Sequence, residues 1–244
     1  MAIGTYLIFG GVGGIGEAPA RRLAFSGGRC VITSRSFDRA AEVAAQINGV
    51  PAEVDVLSEV NIAAAVTMVQ TFPPLAGLAY CVGSVPLASL DRLTADDMMA
   101  AFRLNVIGAM LAVRAAAPVL EAAHGSVVLF SSITARTGFA QHAAISSAKA
   151  AIEGLATSLA AELAPDIRVN AITPSLTDTP IASAFAANPR LAASIAALRP
   201  IPRLGRLDDA ASIAAFLLSP DAGWITGQTV AVDGGRSTLR VGRS

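Results

Sequence analysis

The chain has 244 residues, 53% of them hydrophobic and 15% charged, and its basic and acidic residues balance to a formal net charge of zero. Such a composition excludes a disordered chain, and the length is ample for one domain with a large core. The neutral balance supplies no field for gripping a nucleic-acid backbone or an anionic membrane surface, so neither is expected as a partner.

In chain order, short apolar runs alternate with longer alanine-rich stretches. The runs 6–9, 30–33, 52–54, 78–81, 127–130, 169–172 and 229–232 read as strands. They are nearly continuous in hydrophobic residues rather than alternating, as expected of parallel strands buried on both faces. The stretches 15–26, 38–47, 59–72, 94–121, 144–163 and 208–218 read as helices, with Thr94 and Asp97 spaced as a helix-start cap. Seven strands with interleaved helices predict an α/β fold of Rossmann type, a doubly wound parallel sheet with helices on both faces. Mean hydropathy is +0.58, but alanine supplies much of it, and no run reaches the ~18 uninterrupted apolar residues of a membrane span. Cys30 and Cys81 lie far apart in apolar runs and read as free buried thiols, not as a disulfide or a metal site. With no basic segment leading an apolar core at the N-terminus, a cytoplasmic location is expected.

No repeat or linker interrupts the pattern, so residues 1–244 are read as a single domain. One stretch breaks the rhythm: about 174–207 carries five prolines and the apolar residues Leu176, Ile181, Phe185, Leu191, Ile195 and Leu198. An insertion beyond the carboxyl end of a strand lies where α/β sheets bind ligands, so it is read as a lid over a small-molecule pocket. Extra core or an oligomer contact is the plainer alternative.

After the first strand comes Gly10-Gly11-Val12-Gly13-Gly14-Ile15-Gly16. Glycines at a strand-to-helix turn let backbone amides approach a pyrophosphate and aim the helix N-terminus at its charge. A glycine-rich turn also serves simple tight packing, but its place between a first strand and a first helix favours a dinucleotide.

Gly10, Gly14 and Gly16 follow G-x-x-x-G-x-G, which resembles the short-chain dehydrogenase/reductase family, and the resemblance runs over essentially the whole chain. Its landmarks are Asp55-Val56 after the third strand, Asn105 on the fourth helix, Ser131-Ser132 after the fifth strand, Asn170 to Pro174, and Ile225-Thr226-Gly227 through Asp233-Gly234-Gly235. It implies cofactor contacts at Gly10, Val12, Gly13, Gly14, Ile15 and Gly16, and at Asp55 and Val56. Further contacts are implied at Cys81, Val82 and Gly83, at Lys149, and at Pro174, Thr177 and Thr179 at the start of the lid. Where an acidic residue would bind the ribose of NAD, this chain has Ser34-Arg35, a hydroxyl and a guanidinium suited to a 2′-phosphate. NADP(H) is therefore expected over NAD(H), unless Arg35 is only a solvated surface residue.

The family's catalytic set is a serine, a tyrosine thirteen residues on, a lysine four beyond that, and an asparagine on the fourth helix. Ser132, Lys149 and Asn105 match, and Lys149 is the only lysine in the chain. The tyrosine position holds Ile145. Two further departures are Phe9, where a threonine is usual, and Tyr80-Cys81, where the family carries an asparagine pair. His142, three residues before Ile145, is a candidate proton donor, with Ser132 or a water held by Lys149 and Asn105 as others; a packing role for His142 is the plainer reading.

The resemblance implies an oxidoreductase acting on a small, largely apolar carbonyl or alcohol, built as a dimer or tetramer through the fourth and fifth helices and the last strand. The rivals are a cofactor-binding sensor or partner subunit without net redox activity, and a lyase or isomerase on the same scaffold.

Overall fold

The computed structural model describes residues 4–178 and 189–240. Seven strands form the sheet: β1 (Thr5–Phe9), β2 (Arg29–Ser34), β3 (Val50–Glu53), β4 (Leu75–Tyr80), β5 (Ser126–Phe130), β6 (Arg168–Pro174) and β7 (Thr229–Val232). All pair in parallel, in the order β3-β2-β1-β4-β5-β6-β7. The chain winds outward from β1 in one direction and from β4 in the other, so a crevice opens at their carboxyl ends, where such sheets take ligands.

The helices are α1 (Gly14–Phe25), α2 (Phe37–Gln46), α3 (Glu59–Val69), α4 (Ala95–Phe102), α5 (Gly108–Glu121), α6 (Ala143–Leu163), α7 (Pro189–Ala196) and α8 (Leu207–Leu218). Successive strand residues face opposite sides of the sheet. Leu7, Phe9, Leu78, Tyr80, Val127 and Leu129 therefore join one core with α3, α5 and α6. Tyr6, Ile8, Ile32, Ala79, Val128 and Phe130 join the other with α1, α2 and α8. Double-sided burial is why the strands are apolar almost without break.

Strand and helix ends shift by a few residues from the sequence reading, but one helix differs in kind. The expected single helix 94–121 is interrupted by a π-helical turn, Arg103–Ile107. Its start is as read: Asp97 N–H donates to Thr94 Oγ1 and Thr94 N–H to Asp97 Oδ2, a closed capping box. The interruption comes from the Gly108 amide, which bonds Arg103 O and skips Leu104 O. The run 95–121 is long and apolar enough to cross a membrane by length and composition. Here Ala109, Ala112, Val113, Ala116 and Leu120 are buried in the core beside the sheet.

Beyond β6 the chain leaves the sheet and returns beside it. Thr177 bridges Gly205, Asp178 N–H donates to Gly205 O at 2.9 Å, and Ile201 N–H donates to Gly234 O at 3.0 Å. Arg199 is buried with its guanidinium on Ser175 Oγ at 2.8 Å. Ile181 and Phe185 of the expected lid lie outside the described residues.

Candidate active site

The glycine turn joins β1 to α1 at the crevice. Gly10 has φ +75°, in the left-handed region, and a methyl on it would strike Val82 Cγ2 at 2.9 Å and the Val82 amide at 3.0 Å. A methyl on Gly16 would lie 2.4 Å from Gly10 O, so helix α1 can begin this close to β1 only with glycine there. Gly13 is exposed and caps α1 with backbone alone, with Gly14 and Ile15 in the first turn behind it and Val12 half-buried beside it. The amides at the start of α1 therefore point out of the crevice toward whatever binds it.

At the end of β2, Ser34 Oγ accepts from Ser36 N–H at 3.1 Å. Arg35 next to it is exposed and, among the described residues, has no carboxylate partner. Asp55 is exposed after β3 with Oδ1 accepting from Leu57 N–H at 2.9 Å, while Val56 is buried. Cys81, Val82 and Gly83 follow β4, and the Cys81 amide donates to Phe9 O at 2.9 Å, holding this segment against the glycine turn. Pro174 ends β6, and Thr177 Oγ1 donates to Ser175 O at 2.9 Å. Thr179 lies outside the described residues.

Asn105 and Lys149 meet at Gly83. A methyl on Gly83 would lie 2.8 Å from Asn105 Oδ1 and 3.4 Å from Lys149 Nζ. Asn105 is 1% exposed, its amide nitrogen donates to Ala101 O at 2.9 Å, and its Oδ1 is buried with no donor among the described residues. An orphaned buried acceptor is costly unless a ligand or water completes it, so this atom is suited to a bound group. Lys149 Nζ donates to Phe130 O at 2.8 Å. Burial pulls its pKa from the ordinary 10.5 to about 8, with neighbouring Cys81 acting in the opposite sense. Burial raises the Cys81 thiol to about 12, against the effect of Lys149, so Cys81 is a neutral thiol.

Ser132 ends the segment after β5, its Oγ accepting from Thr134 N–H at 3.2 Å. Ile145 lies one helical turn before Lys149 and is 2% exposed, inside the protein. His142 stands at the start of α6; Nδ1 is 2.7 Å from Ala140 O and the ring centroid is 5.5 Å from that of Phe139. No hydrogen bond joins His142 to Ser132, Asn105 or Lys149, which leaves it at the edge of the cluster.

Glu153 was not singled out from the sequence. Its carboxylate accepts from Ser131 Oγ at 3.0 Å, Thr173 Oγ1 at 3.3 Å and Arg136 Nε at 2.7 Å, tying the ends of β5 and β6 to α6. The signal was its place four residues after Lys149, on the same helix face. Tyr80 was also missed as a structural partner of the site: it is buried, and its hydroxyl donates to Leu104 O at 2.7 Å, inside the π turn.

A family model described as enoyl-(acyl carrier protein) reductase matches residues 11–237. The chain is 34% identical over 239 residues to carbonyl reductase family member 4 of Danio rerio, covering 96% of this chain and 98% of that protein. Among solved structures, a short-chain type dehydrogenase/reductase from Mycobacterium ulcerans superposes with a TM-score of 0.91 at 31% identity, over 97% of this chain and 90% of the other. A gluconate 5-dehydrogenase from Burkholderia cenocepacia J2315, in complex with NADP and tartrate, gives 0.90 at 26% identity, over 97% and 96%. With a matching family model over most of its length, relatives above 30% identity and the β3-β2-β1-β4-β5-β6-β7 sheet, the chain belongs to the short-chain dehydrogenase/reductase family of oxidoreductases.

Proposed function

We propose that this oxidoreductase uses NADP(H), in preference to NAD(H), to interconvert a small, largely apolar carbonyl compound and its alcohol without a tyrosine acid. The observation that carries the reading is the meeting of Lys149 Nζ and the donorless Asn105 Oδ1 at Gly83, on the segment pinned to the glycine turn. The residues fit the dinucleotide. The Gly10–Gly16 turn leaves backbone room for the pyrophosphate, Ser34 and the exposed Arg35 suit a 2′-phosphate, and Lys149 has an ammonium for the ribose hydroxyls. When bound, the reduced nicotinamide supplies hydride.

The chain's own residues do the rest. Ser132 holds the substrate oxygen. Lys149, titrating near 8, keeps a mobile proton at neutral pH, and Asn105 Oδ1 orients the group that relays it. His142 is the alternative donor from the mouth of α6. The segment about 174–207, pinned at Gly205 and Gly234, acts as the lid of a single catalytic domain. Exposed Met99 and Ile107 near the π turn and Phe216 and Trp224 near β7 support assembly as a dimer or tetramer. The free thiols Cys30 and Cys81 suit a reducing cytoplasm.

The second reading, a cofactor-binding protein without net redox activity, is favoured by Ile145 alone, which fills the acid's position with a buried hydrocarbon. A direct NADPH titration run beside a cofactor-oxidation screen over small ketones and aldehydes separates the two. Binding with turnover supports the reductase; tight binding with no turnover across the panel supports the sensor.

A further inference from the structure

Two departures from the family pattern lie against each other. Phe9 and Tyr80, on neighbouring strands, have ring centroids 6.0 Å apart. The Tyr80 ring runs from this contact to the π turn, where its hydroxyl donates to Leu104 O, the carbonyl that the Gly108 amide has skipped. A methyl on Gly108 would lie 2.3 Å from the Tyr80 hydroxyl, so the tyrosine reaches the helix only because residue 108 is glycine. Asn105 is the residue after Leu104, and its Oδ1 faces Gly83 beside Lys149.

We infer that Tyr80 is a positioning residue for this site: its hydroxyl clips the π turn through Leu104 O and thereby aims Asn105 at Lys149. A helix re-forming α-type bonds over 103–107 would return the Gly108 amide to Leu104 O. That change rotates Asn105 about the helix axis and removes its carbonyl from the lysine. A phenol at position 80 competes with it by donating to the same carbonyl from the sheet, with its oxygen lodged against Gly108. The function lies in the hydroxyl, since the ring alone would serve the core. Burial raises the Tyr80 pKa, with Asp55 and Cys81 acting in the same sense, so the hydroxyl keeps its proton and stays a donor at neutral pH. The inference rests on the reading of Asn105 and Lys149 as a pair.

Lys149 being the only lysine, its titration can be followed directly by ¹³C reductive methylation and NMR of the full chain, the N-terminal amine giving the one other signal. The titratable neighbour acting on Lys149 is Cys81, and Glu153 on the same helix is engaged by Ser131 and Arg136. Asn105→Ala removes a carbonyl dipole that faces the ammonium across Gly83 and lowers the midpoint by about half a pH unit. Tyr80→Phe shifts it in the same direction, and the double variant shifts it no further than Asn105→Ala. Gly108→Ala breaks the clip from the helix side and gives the same shift; combined with Tyr80→Phe, it folds more stably than alone. Additive shifts in the double variant, or a Tyr80→Phe midpoint equal to the parent's, overturn the clip. A midpoint indifferent to Asn105→Ala overturns instead the pairing of Asn105 with Lys149. Should Tyr80→Phe not fold, the Gly108→Ala midpoint decides alone, the parental value counting against the clip.

Discussion

Replacing Lys149 by methionine should stabilise the protein at neutral pH, although it removes the residue assigned to the ribose and the proton. The lysine titrates near 8 in the native state against 10.5 for a free side chain. Each unit of difference is about 1.4 kcal/mol, so holding the ammonium in place costs about 3 kcal/mol wherever both states are protonated. Methionine matches the stem, fills the same space and forfeits a charge-assisted bond to Phe130 O, worth about 1.5–3 kcal/mol. The expected net gain is therefore about 1 kcal/mol near pH 7. The sign with pH follows from the depressed native pKa. Between about 8 and 10.5 the native lysine has lost its proton and the unfolded one has not, so the parent gains stability as pH rises through that window. The advantage of Lys149→Met should accordingly shrink across it and be lost above it. Urea unfolding of both proteins near pH 7 and above pH 10.5 measures this, since other groups titrating at high pH cancel in the difference. A variant less stable than the parent at neutral pH, or a gap that does not change with pH, would refute the reasoning.

Arg35→Ala should cost NADPH about 1.5–3 kcal/mol of binding and leave NADH nearly unchanged, read by fluorescence titration of both cofactors; equal losses would remove the arginine from the 2′-phosphate. Gly16→Ala, whose methyl would lie 2.4 Å from Gly10 O, should abolish cofactor binding and lower the melting temperature, since backbone rather than a side chain must move; unchanged binding would refute the crowding argument. Ile145→Tyr places a phenol one turn before Lys149 and should raise ketone reduction at least about tenfold in steady-state assays, provided that the ring turns out of the space Ile145 fills. His142→Ala should then change the parent more than the tyrosine variant; equal losses in both would assign His142 to structure.

The sheet was legible because its strands are buried on both faces, which forces short, nearly continuous apolar runs rich in valine, isoleucine and leucine. The glycine turn was legible for a related reason: backbone crowding at Gly16 leaves only one residue type possible, and that residue is visible in the sequence. The π turn was hidden. The 94–121 stretch reads as one helix because alanine, leucine and methionine dominate it, while the hydroxyl bonded inside the turn, that of Tyr80 on β4, comes from 24 residues earlier in the chain. Glu153 was half hidden, since its spacing from Lys149 could be counted but its partners Ser131 and Thr173 come from two strands.

The departures from the family pattern therefore look scattered in the sequence and are adjacent in space. Phe9 packs on Tyr80, the Tyr80 hydroxyl bonds Leu104 O next to Asn105, and Cys81 follows Tyr80 on the segment that leads to Gly83, where Asn105 and Lys149 meet. Every altered position is aromatic, thiol or aliphatic, while the polar atoms at the centre, Ser132, Asn105 and Lys149, are kept. Asn105 Oδ1 is buried with no donor among the described residues, an acceptor that a bound group or a water would complete. A kept polar centre inside an altered apolar shell is what the proposed reductase without a tyrosine acid calls for, and the cofactor-oxidation screen with Ile145→Tyr tests it.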